Sequence, residues 1–500
     1  MPRIMRRMNP VLSPTRYGPT WWWRQRMERR ELLKHVLMGS SLLAAPRWLA
    51  ASESTASSAV LSATSSAEDY RAAALAAERW LNSVAQREGD TVRWPVDPLK
   101  PKVVDQSLYS GMPGVVLFYL ELHHATGDAR YLREAQSGAR ALVAALPPEG
   151  VGAAGAGLYT GLTGIAYVLQ LVQERAPFAA GQTALAQIAE RVRGSASWKG
   201  EAAVWQDSTD IISGTAGLAL ALVWLQARDR ASASPWRDSS RVLRGAARSL
   251  LDAGVSEGNG TKWAISSSTP RRYPNFSHGT AGVSYTLATL AMHPALADDR
   301  TLQRAAREGA LSGARYLDGI TTTSPSGARK IFHSEPGNES LYYLSWCHGP
   351  AGTGRLYRQL ERLTGDATWR RYQPALAKAI VESGVPEQHP DRSGFWNNIS
   401  QCCGNCGVAE YFVARHAATR SADDLAFAQR VMDDVIRRAT PDAGGLKWVQ
   451  AENRTSPDDV IAQTGFMQGA AGVGIALLHM EGALRERRPL VVLPDSPSWT

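Results

Sequence analysis

From residue 111 to residue 485 the chain repeats one pattern of polar and apolar positions. A polar loop ends in Gly-x-x-Gly and runs directly into ten to fifteen mostly apolar residues, and an amphipathic stretch follows before the next loop. The copies are Gly111-Met112-Pro113-Gly114, Gly161-Leu162-Thr163-Gly164, Gly214-Thr215-Ala216-Gly217, Gly279-Thr280-Ala281-Gly282, Gly349-Pro350-Ala351-Gly352, Gly404-Asn405-Cys406-Gly407 and Gly469-Ala470-Ala471-Gly472. Stretches after the glycines, such as Val115 to Leu122 and Leu218 to Leu225, are apolar nearly all round, which predicts buried helices. The intervening stretches Leu132 to Leu146, Leu185 to Val192, Trp236 to Leu251 and Leu302 to Leu317 are amphipathic at helical spacing, which predicts helices with one buried face. Successive first glycines stand 50 to 70 residues apart, room for two helices and two loops. The predicted fold is therefore all-α: an α/α toroid, or barrel, of seven helical hairpins. Gly-x-x-Gly turns open its inner helices, and amphipathic helices surround them.

Glycines permit tight turns where seven helix N-termini converge, and a ring of N-termini is electropositive and suited to anions or thiolates. A packing role suffices for copies one, two and seven. Polar residues interrupt copies three to six, so chemistry is expected there. Asn397 to Phe412 holds three of the four cysteines in a Gly-rich turn ahead of an apolar helix. The fourth, Cys347, lies in Trp346-Cys347-His348-Gly349-Pro350-Ala351-Gly352, a turn of the same shape. Soft thiolates on two helix-opening turns suit zinc. A disulfide or buried structural thiols are the alternatives for Cys347, Cys402 and Cys403, although a bridge between adjacent cysteines would be strained. Cys406 occupies the third slot of its Gly-x-x-Gly and serves packing, or else is a fourth ligand that closes the site. His278, directly before Gly279, either transfers protons or supports its loop. Asp210 either acts in catalysis, orients His278, or caps the third inner helix. His348 is expected to point away from Cys347 and support the site. Trp205, Trp263, Trp346 and Trp396 precede four site loops as rim or core residues.

Composition narrows the class. At 500 residues, 44% apolar and 20% charged, the chain has enough apolar residues for a large core, which excludes a fibre or a disordered chain. Its net charge of +9 would suggest nucleic acid, but residues 1–34 alone carry nine Lys/Arg against two Asp/Glu, +7 of that total. The remainder is nearly neutral, so a nucleic-acid partner is excluded. Glu28-Arg29-Arg30-Glu31-Leu32-Leu33-Lys34 precedes an apolar run, His35 to Ala45, too short to span a bilayer. This segment resembles a twin-arginine export signal, which predicts a periplasmic or extracellular protein exported folded with its metal loaded; a cytoplasmic location is the alternative. The expected organisation is a basic tail and signal at 1–50, a Ser/Ala-rich linker at 51–67, the toroid at 68–485 and a C-terminal tail at 486–500.

In order along the chain, the seven Gly-x-x-Gly copies, Asp210-Ile211-Ile212-Ser213-Gly214, Ser277-His278-Gly279, Trp346-Cys347-His348-Gly349 and the Cys402-Cys403-Gly404 turn resemble the lanthionine synthetase C-like proteins. The resemblance runs from about Tyr70 to Ala483. It implies one zinc ion at the centre of the toroid, binding a substrate cysteine thiolate that adds to a dehydroalanine or dehydrobutyrine to make a thioether ring. By the same resemblance Cys347 and Cys402 are ligands, Cys403 is the third ligand where a histidine is usual, and His278 and Asp210 are the acid/base residues. Tyr343, four residues before the first ligand, stands where some cyclases have an arginine. Three thiolates would leave the zinc site with a formal charge of −1, and a bound substrate sulfur would then be more nucleophilic than at a Cys-Cys-His site. The implied partner is a dehydrated peptide or a small thiol, with a separate dehydratase activating the peptide. Two alternatives stand beside this: an exported zinc-binding module or thiol sensor without cyclase activity, and an α/α-barrel glycoside-processing enzyme. The latter needs a carboxylate pair, which the sequence does not offer at the glycine-lined end beyond Asp210.

Overall fold

A computed structural model describes residues 64–152, 155–228, 234–269, 271–387 and 398–497. The signal-type segment 1–50, most of the linker and Trp396 lie outside them. Fourteen α-helices occupy the described residues: α1 (Ala67–Ser83), α2 (Met112–Thr126), α3 (Ala129–Ala144), α4 (Leu162–Gln173), α5 (Ala179–Gly194), α6 (Thr215–Arg228), α7 (Ser240–Asp252), α8 (Thr280–Met292), α9 (Arg300–Ile320), α10 (Pro350–Thr364), α11 (Tyr372–Glu382), α12 (Asn405–Thr419), α13 (Ala422–Arg437) and α14 (Ala470–Leu484). Even-numbered helices follow the glycine turns and form the inner ring; odd-numbered ones pack outside them. Each inner helix touches the next around the ring, and α14 touches α2. The outer helix α1 pairs with α14, so the first and last helices close the seventh hairpin. The α/α toroid expected from the sequence is the fold observed.

Local chemistry sets the helix boundaries. Ser66 accepts from the Asp69 amide while the Asp69 carboxylate accepts from the Ser66 amide, a reciprocal cap that starts α1. Inner helices start without a side-chain cap. Instead, the first amide after the opening glycine donates to a carbonyl seven residues back: Met112 to Asp105, Leu162 to Gly155, Thr215 to Ser208, Thr280 to Tyr273, Asn405 to Asn398 and Ala470 to Gln463. In α10 the first residue is proline, and Ala351 donates to Leu344 in its place. The orphan amides of the N-termini are thereby bound within their own loops. The second glycine exists for close approach: a Cβ on Gly352 would sit 1.9 Å from the Trp346 carbonyl oxygen.

Two features went beyond the sequence pattern. Short antiparallel hairpins follow several outer helices: β1 (Gln86–Glu88) with β2 (Thr91–Arg93), β3 (Ser197–Lys199) with β4 (Ala202–Val204), β5 (Val255–Glu257) with β6 (Gly260–Lys262), β7 (Thr322–Thr323) with β8 (Arg329–Lys330), and β9 (Thr440–Asp442) with β10 (Gly445–Lys447). A further pair, β11 (Gln450–Ala451) with β12 (Val460–Ile461), lies in the last loop. Gly89, Gly200 and Gly258 make three of the turns at φ near +60°, where a side chain would be strained. Trp205, Trp263 and Trp448 follow their hairpins into the core, and each indole N–H donates to a carbonyl of the preceding outer helix: Val192, Leu250 and Val435. The second feature is that α10 and α12 are not apolar all round. Arg355, Arg358, Glu410 and Arg415 line a cavity of about 610 Å³ inside the toroid, where Arg355 pairs with Asp495, Glu410 with His479 and Arg415 with Asp424. Residues 489–497 run back into that lumen, with Val491, Pro494 and Asp495 buried. Among the described residues no helix is long and apolar enough to cross a membrane.

Candidate metal centre

The loops that open the inner helices are joined into a closed ring of backbone hydrogen bonds. The Tyr109 amide donates to the Tyr159 carbonyl (2.9 Å), Tyr159 to Ile212 (2.9 Å), Ile211 to Ser277 (3.0 Å) and Ser277 to Cys347 (2.9 Å). Cys347 donates to Cys402 (3.0 Å), Cys402 to Met467 (3.1 Å), and Met467 back to Tyr109 (2.8 Å). Except at Ile211, each donor stands two residues before the first glycine of its copy. Cys347 and Cys402 are thus equivalent members of adjacent loops, fixed through their own amides and carbonyls. Cys403, His278 and His348 share the next position, directly before the glycine.

That equivalence brings three sulfurs together. The Sγ atoms of Cys347, Cys402 and Cys403 all lie within 4.8 Å of one another. Cys347 Sγ is 3.3 Å from Cys403 Sγ, which is 3.5 Å from Cys402 Sγ. Tyr109, from the first loop, donates its hydroxyl to Cys402 Sγ at 3.2 Å. The donor set is soft and held on a hydrogen-bonded backbone, with Cys347 and Cys402 buried and Cys403 half-buried, and three protein ligands leave a fourth position for an exogenous thiol, which fits zinc. All four cysteines are free of disulfides. Cys406 is buried in the first turn of α12 and stands outside the cluster.

The thiols divide unequally in acidity. Hydrogen bonds from Cys347 and Cys403, with one from Tyr109, hold Cys402 well below the usual thiol range. Burial, together with the neighbouring thiols, pushes Cys347 well above it. Cys403 accepts from Cys347, which lowers it, but its bond to Cys402 and its burial raise it well above on balance. Cys347 and Cys403 are therefore thiols at neutral pH, and Cys402 is the first of the three to ionise. A divalent ion requires all three as thiolates, so zinc uptake at pH 7 is expected to release at least about two protons per ion, and affinity to fall by at least about 100-fold for each unit that the pH drops. Calorimetry in buffers of different ionisation enthalpy measures this directly; release of one proton or fewer would refute the protonated state of Cys347 and Cys403.

Beside the cluster, His278 Nδ1 lies 2.5 Å from Asp210 Oδ2. Asp210 is buried, and its other oxygen accepts from the Ser213 amide (2.9 Å) and from the Ser208 and Ser213 hydroxyls. One carboxylate oxygen thus stiffens the turn before Gly214, and the other faces His278. Burial works to raise its pKa, but the bonds from His278 and Ser213 leave it below the ordinary carboxylate value. With the carboxylate accepting a hydrogen bond from Nδ1–H, Nε2 is the ring nitrogen of His278 left to exchange a proton.

His348 is buried in a cage of rings. Its centroid is 4.2 Å from His333, 5.1 Å from Tyr273, 5.6 Å from His278 and 5.9 Å from Tyr343. Burial first, then the neighbouring imidazoles, push its pKa well down, so it is neutral, and its Nδ1 has no hydrogen-bond partner. Burial first, with the nearness of Cys403 and Cys347, pushes the Tyr343 hydroxyl up, which keeps it a neutral O–H donor. Sequence reasoning missed Tyr109, Tyr273 and His333. Tyr109 was within reach, since it occupies the same slot before its glycine as Cys347 and Cys402. His333 has no repeat signal, because it comes from the irregular chain between β8 and α10. Trp205, Trp263 and Trp346 are core residues.

Comparison with known proteins bears on the fold and the family. Among curated proteins none matches this chain. Among solved structures, nisin cyclase is similar at 14% identity and a TM-score of 0.55, covering 83% of this chain and 98% of that one. An inactive variant of an α-1,6-mannanase from Salegentibacter sp. HEL1_6 gives 12% identity and a TM-score of 0.42, covering 83% of this chain and 99% of the other. A possible member of the GH105 family from Salmonella enterica gives 12% identity and a TM-score of 0.43, covering 85% and 96%. A model of the lanthionine synthetase C-like protein family matches residues 102–492, which takes in all seven glycine turns, the three clustered cysteines and the His278–Asp210 pair. This chain belongs to the lanthionine synthetase C-like family.

Proposed function

We propose that this protein is a cyclase-type enzyme that catalyses zinc-dependent addition of a thiol to dehydrated serine or threonine residues of a peptide. The observation that carries this reading is the placement of His278, held by Asp210, on the loop whose backbone is bonded directly to that of Cys347 in the three-thiol cluster. Cys347, Cys402 and Cys403 would hold the zinc, which when bound supplies a Lewis acid that favours the thiolate form of an incoming thiol. Addition forms a bond between sulfur and the β-carbon of the dehydro residue and breaks the carbon–carbon double bond, leaving an enolate. The proton lost by the thiol must end on the α-carbon. His278 Nε2 is suited to take that proton and return it, because the Asp210 carboxylate stabilises the intervening imidazolium and fixes the ring. The buried ring of His348 and the half-buried rings of Tyr273, His333 and Tyr343 would limit the access of water from that side of the site, which would protect the enolate from adventitious protonation.

The test is a peptide carrying one cysteine and one dehydroalanine, incubated with zinc-loaded protein. Cyclisation leaves the mass unchanged and removes the free thiol, so one alkylation by iodoacetamide should disappear, at a rate proportional to enzyme. If no loss exceeds the uncatalysed rate over a series of cysteine-to-dehydroalanine spacings, the cyclase reading fails.

A further inference from the structure

The buried carboxylate of Asp495 belongs to no group in the proposed reaction. It lies in the segment after α14, which re-enters the lumen and is fixed along its length. The amides of Leu490 and Val491 both donate to Glu121 Oε2, at 3.0 and 2.7 Å, and Tyr167 donates its hydroxyl to the Val492 carbonyl at 3.1 Å. Asp495 itself has no solvent exposure. Its Oδ2 accepts from Trp346 Nε1 (2.9 Å), from the Tyr159 hydroxyl (3.2 Å) and from the Arg355 guanidinium (3.0 Å), while its backbone carbonyl takes Arg355 Nη1 at 3.1 Å. Oδ1 has no partner.

All three donors come from the frame of the thiol cluster. Trp346 immediately precedes Cys347. Tyr159 is a link in the backbone ring, and Arg355 is in the second turn of α10, the helix that the Cys347 turn opens. A buried carboxylate is a poor way to add stability, since an apolar side chain of similar size often does as well at such a position. It is a good way to fix geometry, because three donors from three elements must meet at one oxygen. Trp346 is further confined by Tyr159 and Phe276, with ring centroids at 5.1 and 6.0 Å.

We propose that Asp495 is a positioning residue: the C-terminal segment acts as a strut inside the toroid that sets the Trp346–Cys347 turn, and hence Cys347 Sγ, in register with Cys402 and Cys403. The inference rests on the reading of the three thiols as a zinc site. It goes beyond that reading by making residues 489–497 part of the site from behind.

The test uses the full chain. Asp495→Asn keeps the shape and removes the charge on which Trp346, Tyr159 and Arg355 converge, and Trp346→Phe removes one of those bonds from its other end. Each is expected to weaken zinc binding about 10- to 100-fold in chelator competition, as loss of an outer support of a ligand does. Each should also shift the thiolate-to-cobalt absorption of the cobalt-loaded protein. The double variant should lose less than the two single losses combined, since both act on the Trp346–Asp495 bond. Asp424→Asn is the control: it disturbs another buried carboxylate, bonded to Arg415 at 3.1 Å, and should lower the melting temperature without moving affinity or spectrum. An unchanged affinity and spectrum in Asp495→Asn, or additive losses in the double variant, overturn the strut. If the wild-type chain takes up no zinc, the metal reading itself fails and alkylation of the metal-free protein decides. Faster reaction of Cys347 with iodoacetamide in Asp495→Asn then supports the strut, and equal rates overturn it.

Discussion

Cys402→Ala is expected to reduce bound zinc from one equivalent to less than about a tenth after dialysis against a weak chelator. Cys402 is the most acidic thiol of the cluster and the acceptor for the Tyr109 hydroxyl. With a full set of ligands contributing on the order of 10 to 16 kcal/mol, one thiolate accounts for roughly 3 kcal/mol or more, so affinity should fall by at least about 10²-fold. Cys347→Ala should behave alike, because its sulfur is the one contribution from the neighbouring loop. The fold should survive both changes: Cys347 and Cys402 tie the ring through backbone groups, which alanine retains. Cys406→Ala, by contrast, should keep the full zinc complement, since Cys406 is packed in α12 away from the cluster. Elemental analysis of the three variants with circular dichroism as a fold control gives the answer. Full retention of zinc in both Cys402→Ala and Cys347→Ala would end the assignment of these thiols as ligands.

The toroid was legible in the sequence because its determinants are local and repeated. Gly111 and its six counterparts each mark the start of a helix, and the apolar run after each leaves only burial as an outcome. The thiol cluster was legible for a related reason: placing Cys347 and Cys402 in one slot of the repeat makes them neighbours once the loops are arranged in a ring. What escaped was whatever depends on which loops face one another across the ring. Tyr109 and Cys402 are 293 residues apart, yet the closure of copy seven onto copy one brings the hydroxyl to the sulfur. The short hairpins escaped because strands of two or three residues carry too little alternation to read, although Gly89, Gly200 and Gly258 were signals of their turns. Asp495 escaped for a different reason. A carboxylate in a Pro- and Ser-containing tail looks solvated, and only the lumen left by the inner helices gives that tail somewhere to go. The apolar expectation for the inner helices erred at α10 and α12 through the same lumen, which admits Arg355, Arg358 and Arg415.

His278→Ala is expected to leave zinc in place and slow thiol addition by roughly 10²- to 10⁴-fold, the range for removal of a positioned general acid/base. Zinc should stay because His278 is not among the clustered donors and because its loop is held by the Ser277 amide and the Ile211 amide, neither of which needs the imidazole. The separation of the two effects distinguishes a catalytic residue from a structural one. Asp210→Asn should slow the reaction as well, since an amide no longer stabilises the imidazolium, and its remaining bonds to Ser208 and Ser213 should preserve the turn. Cys403→His probes the same step from the metal side. Imidazole in place of a thiolate would change the formal charge of the zinc site from −1 to 0, so a bound substrate sulfur would give up more charge to the ion and add more slowly, with zinc still at one equivalent. The double variant of Cys403→His with His278→Ala should show losses that multiply, because one change acts on formation of the carbon–sulfur bond and the other on proton delivery. The measurement is loss of alkylatable thiol in the dehydroalanine peptide, run in water and in deuterium oxide. In the wild type a solvent isotope effect should accompany α-carbon protonation, and in His278→Ala it should change as water replaces the imidazole. Should His278→Ala retain the wild-type rate with zinc bound, proton delivery by this residue is wrong, and Tyr343, the neutral hydroxyl beside the thiols, becomes the group to remove next.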